Sequence, residues 1–316
     1  MNNLLETNTI DAAQEIDHPF ILEINSINQQ LEHTLFNATT INNFSEIIID
    51  LSQKIITLVK KYPDLALANI MINKTGLYTI RHSIDTAILA YTVANNMNKS
   101  SRDIMGLMKA CLTMNISLVS EHETIHNQAT LTQEQKNLIY NHPSDSANFL
   151  KSIGVTDNTW LTHILDHHAC DIETYSENIK PRNKILESTK IIFIADRYCA
   201  LISGRPHRKP YLPNAAIHFI LTKGKNIIDP ALAVCFIKVL GMYPPGTFVK
   251  LANGDIGIVS YKTDKKMFPI VHVIYDSNTH YYDKHRQCNT EDPLYKIREV
   301  ISIEDNPQLN ISDIWN

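Results

Sequence analysis

No stretch of this chain approaches the roughly 20 consecutive apolar residues that a membrane-crossing helix needs. No membrane span is therefore expected. The N-terminus, Met1-Asn-Asn-Leu-Leu-Glu, has no basic segment leading into an apolar one, which is the mark of a secretory leader. A cytoplasmic protein is the expectation. Positive charge is also short: 29 Lys and Arg against 33 Asp and Glu leave a net charge of −4. Without a basic field, neither DNA nor RNA is expected as a partner. The five cysteines, Cys111, Cys170, Cys199, Cys235 and Cys288, include no Cys-x-x-Cys pair. An odd, dispersed set excludes a disulfide framework and predicts reduced thiols. Cys111 and Cys199 sit in apolar runs and are expected to be buried. Internal repeats and low-complexity runs are absent.

What is present is ample apolar material, 44% of the residues. Residues 1–18 are polar and unpatterned, a frayed tail. From Ile21 to Val59 the apolar residues recur at helical spacing, with Ile47, Leu51, Ile55 and Val59 on a single stripe. Tyr62-Pro63 ends that helix, because the residue before proline is pushed out of the α region. Residues 77–242 read as a string of helices. Ile84, Ile88 and Tyr91 mark one face, and Ile104, Leu107, Met108 and Cys111 the next. Thr132 with Gln135 predicts a capping box opening a helix that reaches His142. Pro143 then stops it, and Ser144 and Asp145 restart another through Phe149. Trp160–His168 and Lys190–Ser203 are further predicted helices. After Gly241-Met-Tyr-Pro-Pro-Gly246 the period becomes that of strands. Asn253-Gly254 between apolar runs predicts a hairpin with positive φ at both turn positions, and Ile270–Tyr275 a third strand. The expected class is mostly α, in three parts: an N-terminal tail and helical cap over 1–73, a helical domain over 74–243, and a small β-rich C-terminal extension over 244–316.

Histidine and carboxylate are the chemistry-bearing residues. His167 and His168 are adjacent, and Asp196 follows in Ile-Ala-Asp-Arg-Tyr. His82 and His142 lie upstream. These residue types are common ligands of catalytic divalent metals. Successive helix residues point about 100° apart, so His167 and His168 would address different metals, or a metal and a phosphate. Asp196 lies within an apolar helix, where an unpaired carboxylate is costly. A metal, backbone N–H groups or Arg205 would offset that cost. His163 and His167, four apart, offer an alternative adventitious zinc pair.

His82-Ser83 with Ala87, His142-Pro143, His167-His168, and the block Ile194-Ala-Asp196-Arg-Tyr-Cys-Ala-Leu-Ile-Ser-Gly-Arg205-Pro-His-Arg208-Lys resemble the HD-GYP subgroup of HD-domain phosphohydrolases. The segment Leu240–Gly254 looks like an extension common in that family. The resemblance runs over residues 74–260. It implies an HD-domain helical bundle, hydrolysis of the bacterial messenger cyclic di-GMP, and a cluster of two or three metal ions. It assigns His82, His142, His167, His168 and Asp196 as metal ligands, and Arg205 and Arg208 as phosphate contacts, a task suited to the planar guanidinium fork.

The chain departs from that pattern where the family has its His-Asp pair and the lysine that follows. Thr113 replaces the histidine, Met114 the aspartate, and Ser117 stands in the lysine position. Gly-Tyr-Pro is also gone: Ala-Cys-Asp171-Ile-Glu173-Thr-Tyr175 follows His168, with Tyr175 as the one candidate to stand in for the tyrosine. A bridging carboxylate holds paired cations about 3.5–4 Å apart, and a neutral thioether cannot. Losing such a pair should cost about 10³-fold or more in rate. Three functions remain open. The chain is a degenerate regulatory protein in cyclic di-GMP signalling with weak or no phosphodiesterase activity. Alternatively it is a working phosphodiesterase with an altered metal set, or an interaction scaffold that binds neither metal nor nucleotide. The expected cofactor is a divalent ion (Fe, Mn, Zn, Ni or Mg), with fewer ions than in active relatives. A protein partner is compatible with each reading, and the sequence leaves the oligomeric state open.

Overall fold

The computed structural model describes residues 18–169, 185–205, 208–223, 228–263, 268–278, 280–302 and 311–315. The polar tail, Cys170 and Tyr175 lie outside the described residues. The long N-terminal stripe is divided into α1 (Pro19–Phe36) and α2 (Phe44–Lys61). Tyr62 caps α2 as predicted, and Pro63 opens α3 (Pro63–Ile72), where its missing N–H costs nothing. The body continues with α4 (Tyr78–Asn96), α5 (Ser101–Thr113), the short α6 (His122–Asn127), α7 (Gln133–Ser152), α8 (Asn158–Asp166), α9 (Glu187–Ile202), α10 (Pro213–Lys223) and α11 (Pro230–Leu240). Helix α4 is buried on nearly every side, packed between α5 and α9. Ile27 and Leu31 of α1 and Ile48, Leu51 and Ile55 of α2 share one apolar cluster with α4, α5 and α9.

Two helix boundaries are corrected, the first in α7. The capping box of Thr132 and Gln135 is present, but the helix does not stop at His142. It runs through Pro143 to Ser152 as one element. A proline inside a helix removes one backbone bond and leaves the carbonyl four residues earlier unpartnered. Here that carbonyl belongs to Ile139, and it has a use described below. The other correction is at α8, which ends at Asp166 and not at His168.

The C-terminal part is an antiparallel sheet of β1 (Phe248–Leu251), β2 (Ile256–Tyr261), β3 (Ile270–Tyr275), β4 (Tyr281–Asn289) and β5 (Ile297–Val300), in spatial order β4-β3-β2-β1-β5. The hairpin after Leu251 forms, but its turn is longer than the two-residue form expected. Only Gly254 takes a positive φ, +94°. Asn253 instead folds its side chain back, accepting from the Asp255 N–H at 3.1 Å. Side chains alternate across the sheet. Val249, Val259, Val271 and Val273 fill a small cluster on one face, while Ile258 and Ile274 join the main helical core on the other. Gly246 (φ +88°) lies against Ala68 of α3, where an added Cβ would meet backbone at 2.9 Å. The sheet is thus docked directly on the helices. A last turn, α12 (Ile311–Ile314), precedes Trp315, whose indole N–H donates to the Ser260 carbonyl at 2.8 Å. Among the described residues, no helix is long and apolar enough to cross a membrane. Cys111, Cys199, Cys235 and Cys288 are buried free thiols.

Candidate metal centre

The centre is built from unused helix carbonyls. Because Pro143 has no N–H, Ile139 keeps a free carbonyl, and His142 Nδ1–H donates to it at 2.6 Å. Because α8 ends at Asp166, the Ile164 carbonyl is also free, and His167 Nδ1–H donates to it at 2.6 Å. An imidazole that carries its proton on Nδ1 presents a bare lone pair at Nε2. The two Nε2 atoms face each other 3.0 Å apart.

Two acceptors at that distance repel unless something positive lies between them. A proton is disfavoured: burial, then the charge of His168, pushes His142 down to about 3. Burial, then the charges of His168 and His142, pushes His167 well below the ordinary imidazole value. Imidazole–metal bonds of about 2.0–2.1 Å fit one cation bound to both nitrogens. His168 completes the set, with ligand atoms of His142, His167 and His168 all within 4.8 Å of one another. His167 and His168 therefore converge on one place, contrary to the expectation that they address separate targets.

His82 and Asp196 form a second, adjacent unit. His82 on α4 donates from Nε2 to Asp196 Oδ1 of α9 at 2.7 Å, both buried. Burial alone would raise the Asp196 carboxyl. The hydrogen bond and charge of His82, with the charges of His168 and His167, outweigh it and hold the group below the usual carboxylate range. The partner of Asp196 is thus His82; the alternative of Arg205 does not hold. His163 is apart from the centre: its Nδ1 lies 2.8 Å from the Thr189 hydroxyl.

Thr113, Met114 and Ser117 are held in structural contacts. Thr113 is fully buried, donates to the Lys109 carbonyl at 2.7 Å and accepts from the Trp160 indole at 2.8 Å. Lys109 also holds Asp157, the N-cap of α8, at 2.5 Å. Together these contacts bolt α5 to α8 and set where His167 falls. Met114 is buried in the apolar core. Ser117 lies 2.9 Å from the Ser146 hydroxyl and donates to the His142 carbonyl at 3.3 Å, steadying α7 beside His142.

Beside the histidines lies a cavity of about 690 Å³, lined by Lys74, Tyr78, Arg81, Arg205, Arg208 and Lys209, with Gly246, Thr247, Phe248, Ile301 and Ser302 from the β-rich part. Arg205 and Arg208 pair through their backbones, each N–H donating to the other's carbonyl, at 2.9 and 3.0 Å. Arg208 is anchored by donation to the Ala200 carbonyl at 2.8 Å. The Nε atoms of both are buried and have no hydrogen-bond partner among the described residues. Arg81 is braced by the carbonyls of Lys74 and Gly76. Tyr78 lies between cavity and centre, stacked on His82 with ring centroids 5.5 Å apart.

Residues absent from the sequence-based ligand set also gather here. His122 and His126 on α6 pack against Tyr78 at centroid distances of 5.6 and 3.7 Å. Their spacing of four was the available signal, obscured by the polar run around them.

The HD domain family model matches residues 50–232. The chain belongs to the HD domain family. This HD protein is 24% identical over 212 residues to "Cyclic di-GMP phosphodiesterase PA4108" of Pseudomonas aeruginosa, a match covering 66% of this chain and 51% of that protein. It is 23% identical over 216 residues to "Cyclic di-GMP phosphodiesterase PdeB" of Borreliella burgdorferi, covering 68% and 56%. The chain thus spans about half the length of the curated relatives it matches. Among solved structures it is similar to Bd1817, an HDG"Y"P protein from Bdellovibrio bacteriovorus, with a TM-score of 0.57 at 13% identity and 74% of each chain covered. At that identity the likeness is one of fold.

Proposed function

We propose that this HD protein is a degenerate HD-GYP member that binds cyclic di-GMP in a regulatory role and hydrolyses it weakly or not at all. The supporting observation is the asymmetry of the site. His142, His167 and His168 converge with two bare nitrogens 3.0 Å apart, while the positions that would supply a bridging carboxylate hold Thr113 and Met114. A divalent ion, when bound, supplies Lewis-acid polarisation of a phosphoryl group. His142, His167 and His168 would hold it, with His82 and Asp196 beside it. Arg205 and Arg208, from the cavity side, would bind the phosphodiester; their unpartnered Nε atoms suit that task. The cavity of about 690 Å³ falls in the range of small-ligand sites, about 300–1,000 Å³. The matches to two cyclic di-GMP phosphodiesterases support the choice of nucleotide.

Calorimetric titration with cyclic di-GMP tests binding. Arg205→Ala and Arg208→Ala should each weaken it about 10-fold or more, by about 1.5–3 kcal/mol for a hydrogen bond to a charged group. A turnover assay with Mn, Fe and Mg tests catalysis. Rapid linearisation that disappears in His167→Ala would replace this reading with that of a working phosphodiesterase on an altered metal set. Absence of both metal and nucleotide binding would leave the scaffold reading.

A further inference from the structure

Two sets of cations, from different loops, line the cavity beside Tyr78. Arg205, Arg208 and Lys209 come from the segment after α9, and Lys74 and Arg81 from the α3–α4 loop and the first turn of α4. Each set holds a guanidinium braced on nearby backbone. Arg208 Nη2 donates to the Ala200 carbonyl at 2.8 Å. Arg81 Nη1 donates to the carbonyls of Lys74 and Gly76, at 3.0 and 2.6 Å, which leaves Nη2 and Nε for a ligand. The α3–α4 loop is itself pinned. The Thr75 carbonyl accepts from Asn28 Nδ2 of α1 at 3.4 Å, and Gly76 (φ +80°) presses on the same side chain, where a Cβ would meet Asn28 Oδ1 at 2.9 Å. A guanidinium held in this way loses little freedom when an anion arrives. No Asp or Glu lines the cavity among the described residues. The carboxyl whose charge acts on Lys74 is Asp85, which burial pushes up to about 7 against the charges of Lys74, Arg81 and His82. At neutral pH it cancels at most one of the five positive charges.

We propose that Arg81, with Lys74, forms a second phosphate subsite, so that the cavity takes a ligand carrying two phosphodiesters, one at each braced arginine. A phosphodiester carries one negative charge and accepts the guanidinium fork through paired hydrogen bonds. A ligand with a single phosphodiester would leave most of the lining charge uncompensated in a partly buried site. Cyclic di-GMP is a closed ring with its two phosphodiesters on opposite sides, and it answers both sets of cations. The β-rich part closes the cavity with Thr247, Phe248, Ile301 and Ser302. Lys262 Nζ, 3.5 Å from Asp64 Oδ1 of α3, fastens that wall to the helices. The walls are thus set before the ligand binds. The inference rests on the proposed function, since it takes the cavity as the cyclic di-GMP site, and adds that recognition requires both phosphates.

The test compares cyclic di-GMP with cyclic GMP, which has one phosphodiester, on the full chain. Calorimetry measures the first, and competition against it the second. Arg81→Gln should weaken cyclic di-GMP about 10-fold and cyclic GMP less than about threefold, because the Arg205–Arg208 end still holds one phosphate. Unchanged cyclic di-GMP affinity in Arg81→Gln, with the loss in Arg205→Ala retained, overturns the inference and leaves the proposed function standing. An equal loss for both nucleotides also overturns it, since Arg81 would then shape the cavity or share a single phosphate. No binding of cyclic di-GMP to the unaltered chain overturns both readings. Should Arg81→Gln fail to fold, Lys74→Gln decides. It should weaken cyclic di-GMP about threefold and leave cyclic GMP unchanged; unchanged cyclic di-GMP affinity overturns the subsite.

Discussion

Replacing Pro143 with alanine should move stability and metal affinity in opposite directions. Pro143 sits within α7, where proline costs about 3 kcal/mol relative to alanine. Alanine loosens the unfolded chain by about 1 kcal/mol. The metal-free variant should gain about 2 kcal/mol, or about 4–8 °C in Tm by the scaling for larger domains. The new N–H at 143 would claim the Ile139 carbonyl that now receives His142 Nδ1–H at 2.6 Å. That hydrogen bond fixes the tautomer and leaves Nε2 as a lone pair facing His167. Losing such an orienting partner weakens metal binding by about 10–100-fold. The lower end is expected, because a carbonyl has two lone pairs and can be shared. Scanning calorimetry of the chelated protein measures the first quantity, and Mn titration the second. A variant that gains stability yet binds Mn as tightly as the parent refutes the link between the proline and the imidazole. One that loses stability without metal refutes a strained helix.

Thr113→Val keeps the shape but strips the Trp160 indole of its acceptor. It should cost about 1–3 kcal/mol in chemical denaturation with Mn uptake unchanged; lost uptake would mean Thr113 acts at the metal. Met114→Asp places a carboxylate in a fully buried position, so the stripped form should be less stable, and Mn should raise its Tm by several degrees more than the parent's. An equal rise in both would show that position 114 does not reach an ion. In chelator, stability should fall as pH drops from about 6.5, the unfolded imidazole value, towards 3. His122 and His142 titrate near 3 in the folded chain, so over that window the unfolded chain binds more protons and folding is penalised. Stability flat across the window would contradict their burial as neutral rings.

The sequence by itself determined a helical body followed by a small sheet, because the change from helical to strand periodicity after Gly246 is visible in one dimension. It also offered the candidate residues of the centre. His82, His142, His167, His168 and Asp196 are types that bind cations, and Thr113 and Met114 stand where the resemblance would have a His-Asp pair. Only the tertiary structure decided how those side chains are arranged. Pro143 looked like a helix breaker, yet α7 continues through it, because packing of Ser146, Ala147 and Leu150 in the core outweighs one lost backbone bond. The freed carbonyl then orients His142. His167 and His168 meet His142 at the C-terminal end of α8, whose opening turn is bolted to α5 through Thr113–Trp160 and Lys109–Asp157. His122 gained its place from the fold of a short helix against Tyr78, a contact between residues 44 positions apart in the chain. Residue type sets what a side chain can bind. Which lone pairs face one another depends on backbone groups that packing leaves free, and no local pattern records those.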